Sequence, residues 1–337
     1  MKLKTLLIVI AVLAALAAGA YYLNRPAPVA PVPEADAARR PVLDPSVAAR
    51  AEKILLTTDD GKSLTLVRAS DGAWKVPAYF DFPADFSKIS SFIDRLSAAH
   101  IDRFITNNPA RIAHLEFAGA QVQLFAAAGP AIWSMDLGKN NDTGTGRYVR
   151  FGGSPDAFLT DLHLWLDAGA KGWAVTQLTD VPANTVAQLD LPFANGSVRK
   201  IVRASPTAPW HYADPAEKHE LDAAAIDSIV TVLGSLHYGE TTALTDPAYL
   251  AAKPLLKTYN LTTFAGATVS IALGGPTPAK DAAPAVTPPP WFIQVTASDP
   301  KATAGAWRQQ RAFQAEDALR NQLPLRQEQV ERVVPKS

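Results

Sequence analysis

Glycines, amides and a lysine are concentrated in one stretch of the chain, "DLGKNNDTGTGRYVR" from Asp136 to Arg150. Residues of these types can bind phosphate or calcium, but each kind of site needs them in a particular order. A phosphate-binding loop places its lysine after the glycines and before a helix, whereas Lys139 precedes the glycines and an aromatic, strand-like run follows them. An EF-hand loop that began at Asn140 would need a glutamate where Phe151 stands. The stretch is therefore predicted to be a turn between two strands.

The other residue types with catalytic or metal-binding potential form no recognised motif. There is no HExxH sequence, and His219 has a glutamate beside it but no second histidine four residues later. The "SDPK" stretch Ser298–Lys301 has SxxK spacing, but its partner motifs are missing and Pro300 indicates a turn; GxSxG is also missing. Pairs of carboxylates that act on glycosides meet in space and cannot be recognised from spacing. We predict no catalytic, cofactor-binding or metal-binding residues and no enzymatic activity.

Two histidines and five tryptophans have a structural interpretation beside a functional one. His100 and His237 each follow a helical pattern, where a cation favours the carbonyl end of the helix dipole. The tryptophans could line a carbohydrate groove, and they are Trp74, Trp133, Trp165, Trp210 and Trp291. Because Trp74 and Trp210 follow two similar stretches of sequence, we expect such large apolar side chains to fill the core.

The bulk composition limits the classes of protein. A chain of 337 residues is long for one core and predicts two domains. The 32 basic and 32 acidic residues balance, which disfavours binding to nucleic acid. The chain has no cysteine, so disulfides, thiolate metal sites, cysteine nucleophiles and a lipidated cysteine are excluded.

The N-terminus predicts a membrane segment. Lys2 and Lys4 precede an uncharged run from Thr5 to Leu23, which is about long enough to cross a bilayer as a helix. The small residues Ala18-Gly19-Ala20 also allow cleavage as a signal peptide, but Tyr21 and Tyr22 favour an uncleaved helix with an interfacial aromatic belt. The distribution of charge predicts that the N-terminus lies in the cytoplasm and that the rest of the chain lies outside it. We therefore assign residues 1–23 to a transmembrane anchor and the proline- and alanine-rich residues 24–47 to an extended linker.

The remaining sequence repeats itself. "DGKSLTLVRAS" at 60–70 returns as "NGSVRKIVRAS" at 195–205, and both begin with a dipeptide typical of tight hairpin turns. A helical apolar pattern follows each copy, behind Asp85 and Asp222 respectively, and it comprises Ile89, Phe92, Ile93 and Leu96 in the first copy and Ile226, Ile229, Val230 and Leu233 in the second. "FAGAQVQL" at 117–124 then matches "FAGATVSI" at 264–271.

These correspondences predict a tandem duplication. Each copy is expected to be an α+β unit, a mostly antiparallel sheet with a helix packed on it, and the two copies cover residues 48–185 and 186–334. The second copy carries a proline-rich insertion at 274–290, where the first has the turn at 138–146. The charged segment 315–334 is predicted to be a solvated edge helix, with docking to a partner as the alternative.

The residues also resemble a known family. A tryptophan before an aspartate-led helix, "DLG" followed by "GRYVR", and the segment 157–186 are similar to the DUF4340 family of bacterial, membrane-anchored proteins. The resemblance covers most of residues 50–334. It implies that the membrane is a bacterial inner membrane, with the bulk of the chain periplasmic, and that the protein associates with ABC-transporter components of the gliding-motility type. It supplies no catalytic residues.

Two functions follow as expectations. The first is a non-catalytic, membrane-anchored interaction module that works with an ABC-type transport system or other envelope proteins. The alternative is a glycan-binding protein or hydrolase of the cell envelope, which the tryptophans and scattered carboxylates would serve.

Overall fold

The computed structural model describes residues 40–127, 129–217, 219–276, 289–297, 305–324 and 326–331. They group into two compact units. Unit 1 contains the residues up to Thr65 together with Ser87–Ala168, and unit 2 contains Leu66–Phe86 together with the residues from Gly169 onward. The predicted anchor at 1–23 lies outside the described residues. Within them, no helix combines the length and the apolar character that a membrane crossing requires.

The first half of the chain forms a nine-stranded sheet. Its strands are β1 (Lys53–Thr57), β2 (Ser63–Arg68), β3 (Trp74–Val76), β4 (Phe82–Pro83), β5 (Ile101–Thr106), β6 (Gln121–Phe125), β7 (Ala131–Asn140), β8 (Arg147–Phe151) and β9 (Ala157–Thr160). The order across the sheet is β4-β3-β2-β1-β6-β7-β8-β9-β5. Three helices accompany these strands, α1 (Pro45–Ala49), α2 (Phe86–Ala98) and α3 (Pro109–Ala113).

The second half forms an eight-stranded sheet. A short helix α4 (Ala170–Trp173) leads to the strands β10 (Val186–Pro192), β11 (Val198–Val202), β12 (His211–Tyr212), β13 (Tyr238–Thr242), β14 (Lys257–Thr263), β15 (Thr268–Gly274), β16 (Phe292–Ala297) and β17 (Ala312–Ala315). The order is β12-β11-β10-β14-β15-β16-β17-β13. The helices are α5 (Ala223–Gly234), α6 (Pro247–Ala252) and α7 (Asp317–Gln322).

The two sheets share one strand order. The first sheet has one additional strand at its edge, β4. Without it, β1 to β3 correspond to β10 to β12, and β5 to β9 correspond to β13 to β17. Strands that are neighbours in one sheet then have counterparts that are neighbours in the other. The predicted hairpin turns are confirmed, since Gly61 and Gly196 both adopt positive φ, 79° and 85°, between equivalent strands. The architecture is therefore α+β and repeat-like, with two antiparallel sheets. The predicted boundaries 48–185 and 186–334 remain a prediction.

Helices α2 and α5 confirm the predicted apolar stripes. Ile226, Ile229, Val230 and Leu233 are all buried in α5, and α2 buries Ile89, Phe92 and Leu96 while Ile93 is half-buried. Asp222 caps α5, because its side chain accepts hydrogen bonds from the backbone N–H groups of Ala224 and Ala225.

The end of the predicted linker is folded, which corrects the assignment of 24–47. Val42 and Leu43 are buried, and their N–H groups donate to the carbonyl oxygens of Ala99 and Leu96. The second half repeats part of this arrangement, since the N–H of Leu178 donates to the carbonyl of Leu236. A short segment therefore lies against the end of the long helix in both halves, and the first of these segments falls in sequence that we predicted to be a spacer.

The matching of the two "FAGA" stretches is also wrong. The first stretch leads into β6, which pairs with β1, whereas the second forms the turn between β14 and β15. The strand equivalent to β6 is β14, which pairs with β10. The two stretches share a tetrapeptide but stand at non-equivalent places in the two sheets.

Candidate functional site

The stretch 136–150 is a strand, a closed turn and a second strand, as predicted. The side-chain oxygen of Asn141 accepts hydrogen bonds from the backbone N–H groups of Thr145, at 2.9 Å, and Gly146, at 3.2 Å. The backbone N–H of Asn141 donates to the carbonyl of Gly146. These bonds direct the turn's polar groups toward one another. The turn lies between β7 and β8, and its internal hydrogen bonds indicate that it serves as a connection between them.

Arg147, the first residue after this turn, holds a neighbouring segment in place. Its Nε donates to the carbonyl of Gly138 at 2.7 Å, and its Nη1 donates to the carbonyl of Leu164 at 2.8 Å. Burial lowers the pKa of the Arg147 guanidinium, and the nearby Asp59 carboxylate acts in the opposite direction. Arginine nevertheless remains charged at neutral pH, so a positive group is fixed in a half-buried position.

The segment held by Arg147 presents an exposed tryptophan. From residue 161 to 167 the side chains alternate between exposed and buried, and the buried positions are Leu162, Leu164 and Leu166. Trp165 stands between two of these leucines and is 87% exposed. The backbone on either side of the indole is therefore fixed by packing and by a hydrogen bond, while the ring itself faces solvent.

A shallow depression adjoins this indole. Its lining comprises Thr58, Asp59, Ala120, Arg147, Trp165 and Leu166, all in unit 1. The depression encloses about 300 Å³ when its open side is counted. It brings a carboxylate, a guanidinium and a flat aromatic ring together, and we call it the Trp165 depression.

The five candidate tryptophans, which we predicted to pack in the core, differ in their burial. Trp210 is buried, as predicted, but Trp74, Trp133 and Trp291 are only half-buried. For Trp165 the prediction is wrong. The signal was present in the sequence, because the alternation "DLHLWLD" places Trp165 in phase with Asp161, His163 and Asp167 and out of phase with the leucines.

No histidine is among the residues that line the Trp165 depression. His100 and His237 each follow a long helix and precede the next strand, at equivalent places in the two halves. His100 donates its backbone N–H to the carboxylate of Asp161 at 2.6 Å, and the ring of His237 lies 3.2 Å from the hydroxyl of Thr176. Among the described residues, no group of three or more His, Cys, Asp or Glu side chains is arranged to hold a metal ion.

Unit 2 exposes an aromatic residue at the tip of a hairpin. Phe80 and Asp81, between β3 and β4, both have positive φ, 56° and 55°. This conformation is unfavourable for residues other than glycine, and such strain is concentrated at functional positions. Phe80 is 44% exposed, and the guanidinium of Arg311 stacks on its ring at 3.7 Å. Sequence reasoning missed this residue, because neither positive φ nor a stacking partner from residue 311 is visible in local sequence.

The fold and these surfaces define a class of α+β protein with two antiparallel sheets of shared strand order. The chain belongs to the family described as "Domain of unknown function (DUF4340)", whose model matches residues 74–263, more than half of the chain. The resemblance seen in the sequence is thereby confirmed. A search of curated proteins and a search of solved structures each found no match.

Proposed function

We propose that the protein is a non-catalytic interaction module, anchored in a bacterial inner membrane by residues 1–23 and carrying its folded part in the periplasm. Two lysines before an uncharged run of 19 residues support this topology. The shared strand order of the two sheets supports an origin by tandem duplication. The module accompanies an ABC-type transport system of the gliding-motility type, as the family resemblance implies.

The observation that carries the interaction function is the surface formed by Tyr79, Phe80 and Arg311, which we call the Phe80 surface. An exposed aromatic ring with an arginine stacked on it combines two residue types enriched at protein interfaces. Beneath the surface, Phe82 is fully buried and lies edge-to-face with Tyr79, at a centroid distance of 5.4 Å. A buried aromatic cluster thus supports the exposed ring.

A polar group also lies close to the Phe80 surface. The Lys171 ammonium contacts the Glu240 carboxylate at 2.6 Å, and both charges are near enough to affect the pKa of Tyr79. That pKa is raised, mainly by burial. An apolar centre beside a solvated ion pair is the usual arrangement of a protein-binding patch. The proposed partner is therefore a protein subunit of the transport system.

Affinity capture tests this proposal. The full-length chain is purified from detergent-solubilised membranes, and co-purifying proteins are quantified for wild type, Phe80→Ala and Arg311→Ala. We expect transporter subunits with the wild type and a strong loss with both variants. Truncation of a central interface residue costs about 2 kcal/mol or more, which is a weakening of about 30-fold.

The matched control is Phe264→Ala. Phe264 is 42% exposed, close to the 44% of Phe80, and it lies in the turn between β14 and β15. It should leave capture unchanged. Recovery of the bait alone with the wild type, or equal losses for Phe80→Ala and Phe264→Ala, would refute the proposal.

A further inference from the structure

We propose that the Trp165 depression binds one ring of a neutral, pyranose-based oligosaccharide, with the sugar face on the indole and its hydroxyls on Arg147 and Asp59. This site goes beyond the proposed function, because it lies on unit 1 and takes a glycan, whereas the Phe80 surface lies on unit 2 and takes a protein.

The indole has the properties that a stacking platform needs. A pyranose ring has an apolar face of C–H groups, which packs on a flat aromatic ring when that ring is exposed and held still. Trp165 is 87% exposed, and the leucines on both sides of it are buried. The hydrogen bond from Arg147 to the carbonyl of Leu164 fixes the backbone next to the indole. Little conformational entropy would be lost there on binding.

The polar groups of the depression suit hydroxyls, which both donate and accept hydrogen bonds. Within the described part of the chain, the hydrogen bonds of Arg147 engage its Nε and one hydrogen of Nη1, so Nη2 is left to donate to a ligand. The Asp59 carboxylate supplies acceptors in the same depression.

The charges of the depression select against ionic ligands. An anionic ligand would meet the Asp59 carboxylate, and a cationic ligand would meet the Arg147 guanidinium. A neutral ligand with several hydroxyls satisfies both groups together. The depression is shallow and open to solvent, so a ligand would lie against it and not be enclosed, which suits one ring of a longer glycan.

The site is specific to the first half of the chain. After β9 the chain continues in the extended segment that carries Trp165, whereas after β17 it continues into helix α7. The described part of the second half therefore holds no second copy of the platform. One weak site on a tethered protein gains strength from a polymer, whose many rings are available for rebinding.

Calorimetric titration of the purified chain, with its membrane segment in detergent, tests the proposal. The probes are tetra-N-acetylchitotetraose, cellotetraose and maltotetraose. We expect at least one of them to bind with a Kd of about 1 mM or tighter. Trp165→Ala should weaken that binding by about tenfold or more, and Trp165→Phe should retain part of it. Because the Trp165 side chain is exposed, its truncation should leave the thermal unfolding temperature unchanged.

Two further variants separate the contributions. Asp59→Asn keeps the shape of the depression and removes the charge, and it should weaken binding several-fold while leaving the fold intact. Trp74→Ala is the matched control at a half-buried tryptophan outside the depression, and it should bind like the wild type if it remains folded.

Failure of all three tetrasaccharides to bind the folded wild type overturns the proposal, as does equal binding by Trp165→Ala. Loss of transporter capture in Trp165→Ala without any glycan binding would identify a protein interface instead. If transporter subunits are not captured but a glycan binds, only the proposal for the Phe80 surface is refuted.

Discussion

The two halves of the chain carry the same tetrapeptide, Val-Arg-Ala-Ser, with opposite consequences for its arginine. Arg203 is only 8% exposed, and it donates to the carbonyl oxygens of Val186, Pro206 and Ala183. Its guanidinium also stacks on Trp210 at 4.3 Å. Arg68 at the equivalent place is exposed and donates to Gly72, four residues away, at 3.3 Å.

The surroundings explain this difference. In the second half, Asp227 on α5 accepts a hydrogen bond from Trp210 Nε1 at 2.8 Å and lies 3.9 Å from Arg203. The corresponding residue on α2 in the first half is Ser90, which donates to Asp94 at 3.4 Å. An identical local sequence therefore packs as a core element in one half and remains solvated in the other. The difference is determined by residues far away in sequence.

The largest predicted difference between the two halves is in the loss of stability when each arginine is removed. Arg203→Ala leaves three backbone carbonyls without their donor and removes the partner of Trp210. We expect a loss of about 3–5 kcal/mol in the free energy of unfolding. Arg68→Ala should change it by less than about 0.5 kcal/mol. Urea unfolding of both variants gives the two values.

Arg203→Lys sharpens this first prediction. Lysine keeps the charge but cannot direct donors to three carbonyls as the planar guanidinium does. It should therefore recover only a minor part of the lost stability. Equal effects of Arg203→Ala and Arg68→Ala would mean that the burial of Arg203 contributes nothing.

A smaller effect is expected when the acceptor on α5 is exchanged for its counterpart. Asp227→Ser places the residue of the first half in the second, and it removes the acceptor of Trp210 Nε1. We expect a loss of about 1–2 kcal/mol. The ion pair with Arg203 adds little to this figure, because the side chain of Asp227 is 59% exposed.

The reverse exchange, Ser90→Asp, is the control for this second prediction. It should change the free energy of unfolding by less than about 0.5 kcal/mol, because Arg68 remains exposed. Equilibrium unfolding monitored by tryptophan fluorescence measures both exchanges. A stabilisation by Ser90→Asp as large as the loss from Asp227→Ser would contradict our explanation.

The features predictable from sequence are those with a local physical cause. Helices α2 and α5 and the first hairpin of each half follow from apolar periodicity and turn dipeptides. Val42 and Leu43 were missed, because two buried residues among prolines and alanines leave no periodic pattern. The different fates of Arg68 and Arg203 are not predictable from the tetrapeptide that they share, because the residues that decide between them lie outside it.

The candidate sites also differ in whether the local sequence indicates them. Trp165 is one of the five tryptophans that the sequence offers for a carbohydrate groove, but we predicted that it packs in the core. That prediction rests on Trp74 and Trp210, which follow two similar stretches of sequence. The alternation of Trp165 with buried leucines was the better guide. The Phe80 surface depends on positive φ and on a contact with Arg311, more than two hundred residues away, and neither has a sequence signal.

The smallest predicted effect concerns the caps of two equivalent helices. Asp246 caps α6 through the N–H groups of Ala248, at 2.9 Å, and Tyr249, whereas Asn108 caps α3 through the N–H of Ala110, also at 2.9 Å. The hydroxyl of Thr242, followed by the N–H of Tyr249, holds the pKa of Asp246 below its usual value of 3.8. The second half therefore has a cap that titrates, and the first has one that does not.

A depressed carboxylate pKa stabilises the folded state fully above the unfolded pKa, and this contribution is lost as pH falls through the folded pKa. Asp246→Asn should thus be less stable than the wild type near neutral pH, and the difference should shrink below about pH 4. Asn108→Asp, the matched exchange in the first half, should gain a pH dependence of the same sign. Urea midpoints measured from neutral to acidic pH test both variants. A difference between Asp246→Asn and wild type that stays constant with pH would show that ionisation of Asp246 does not contribute to the stability of the cap. The charge would then have no part in distinguishing the two halves.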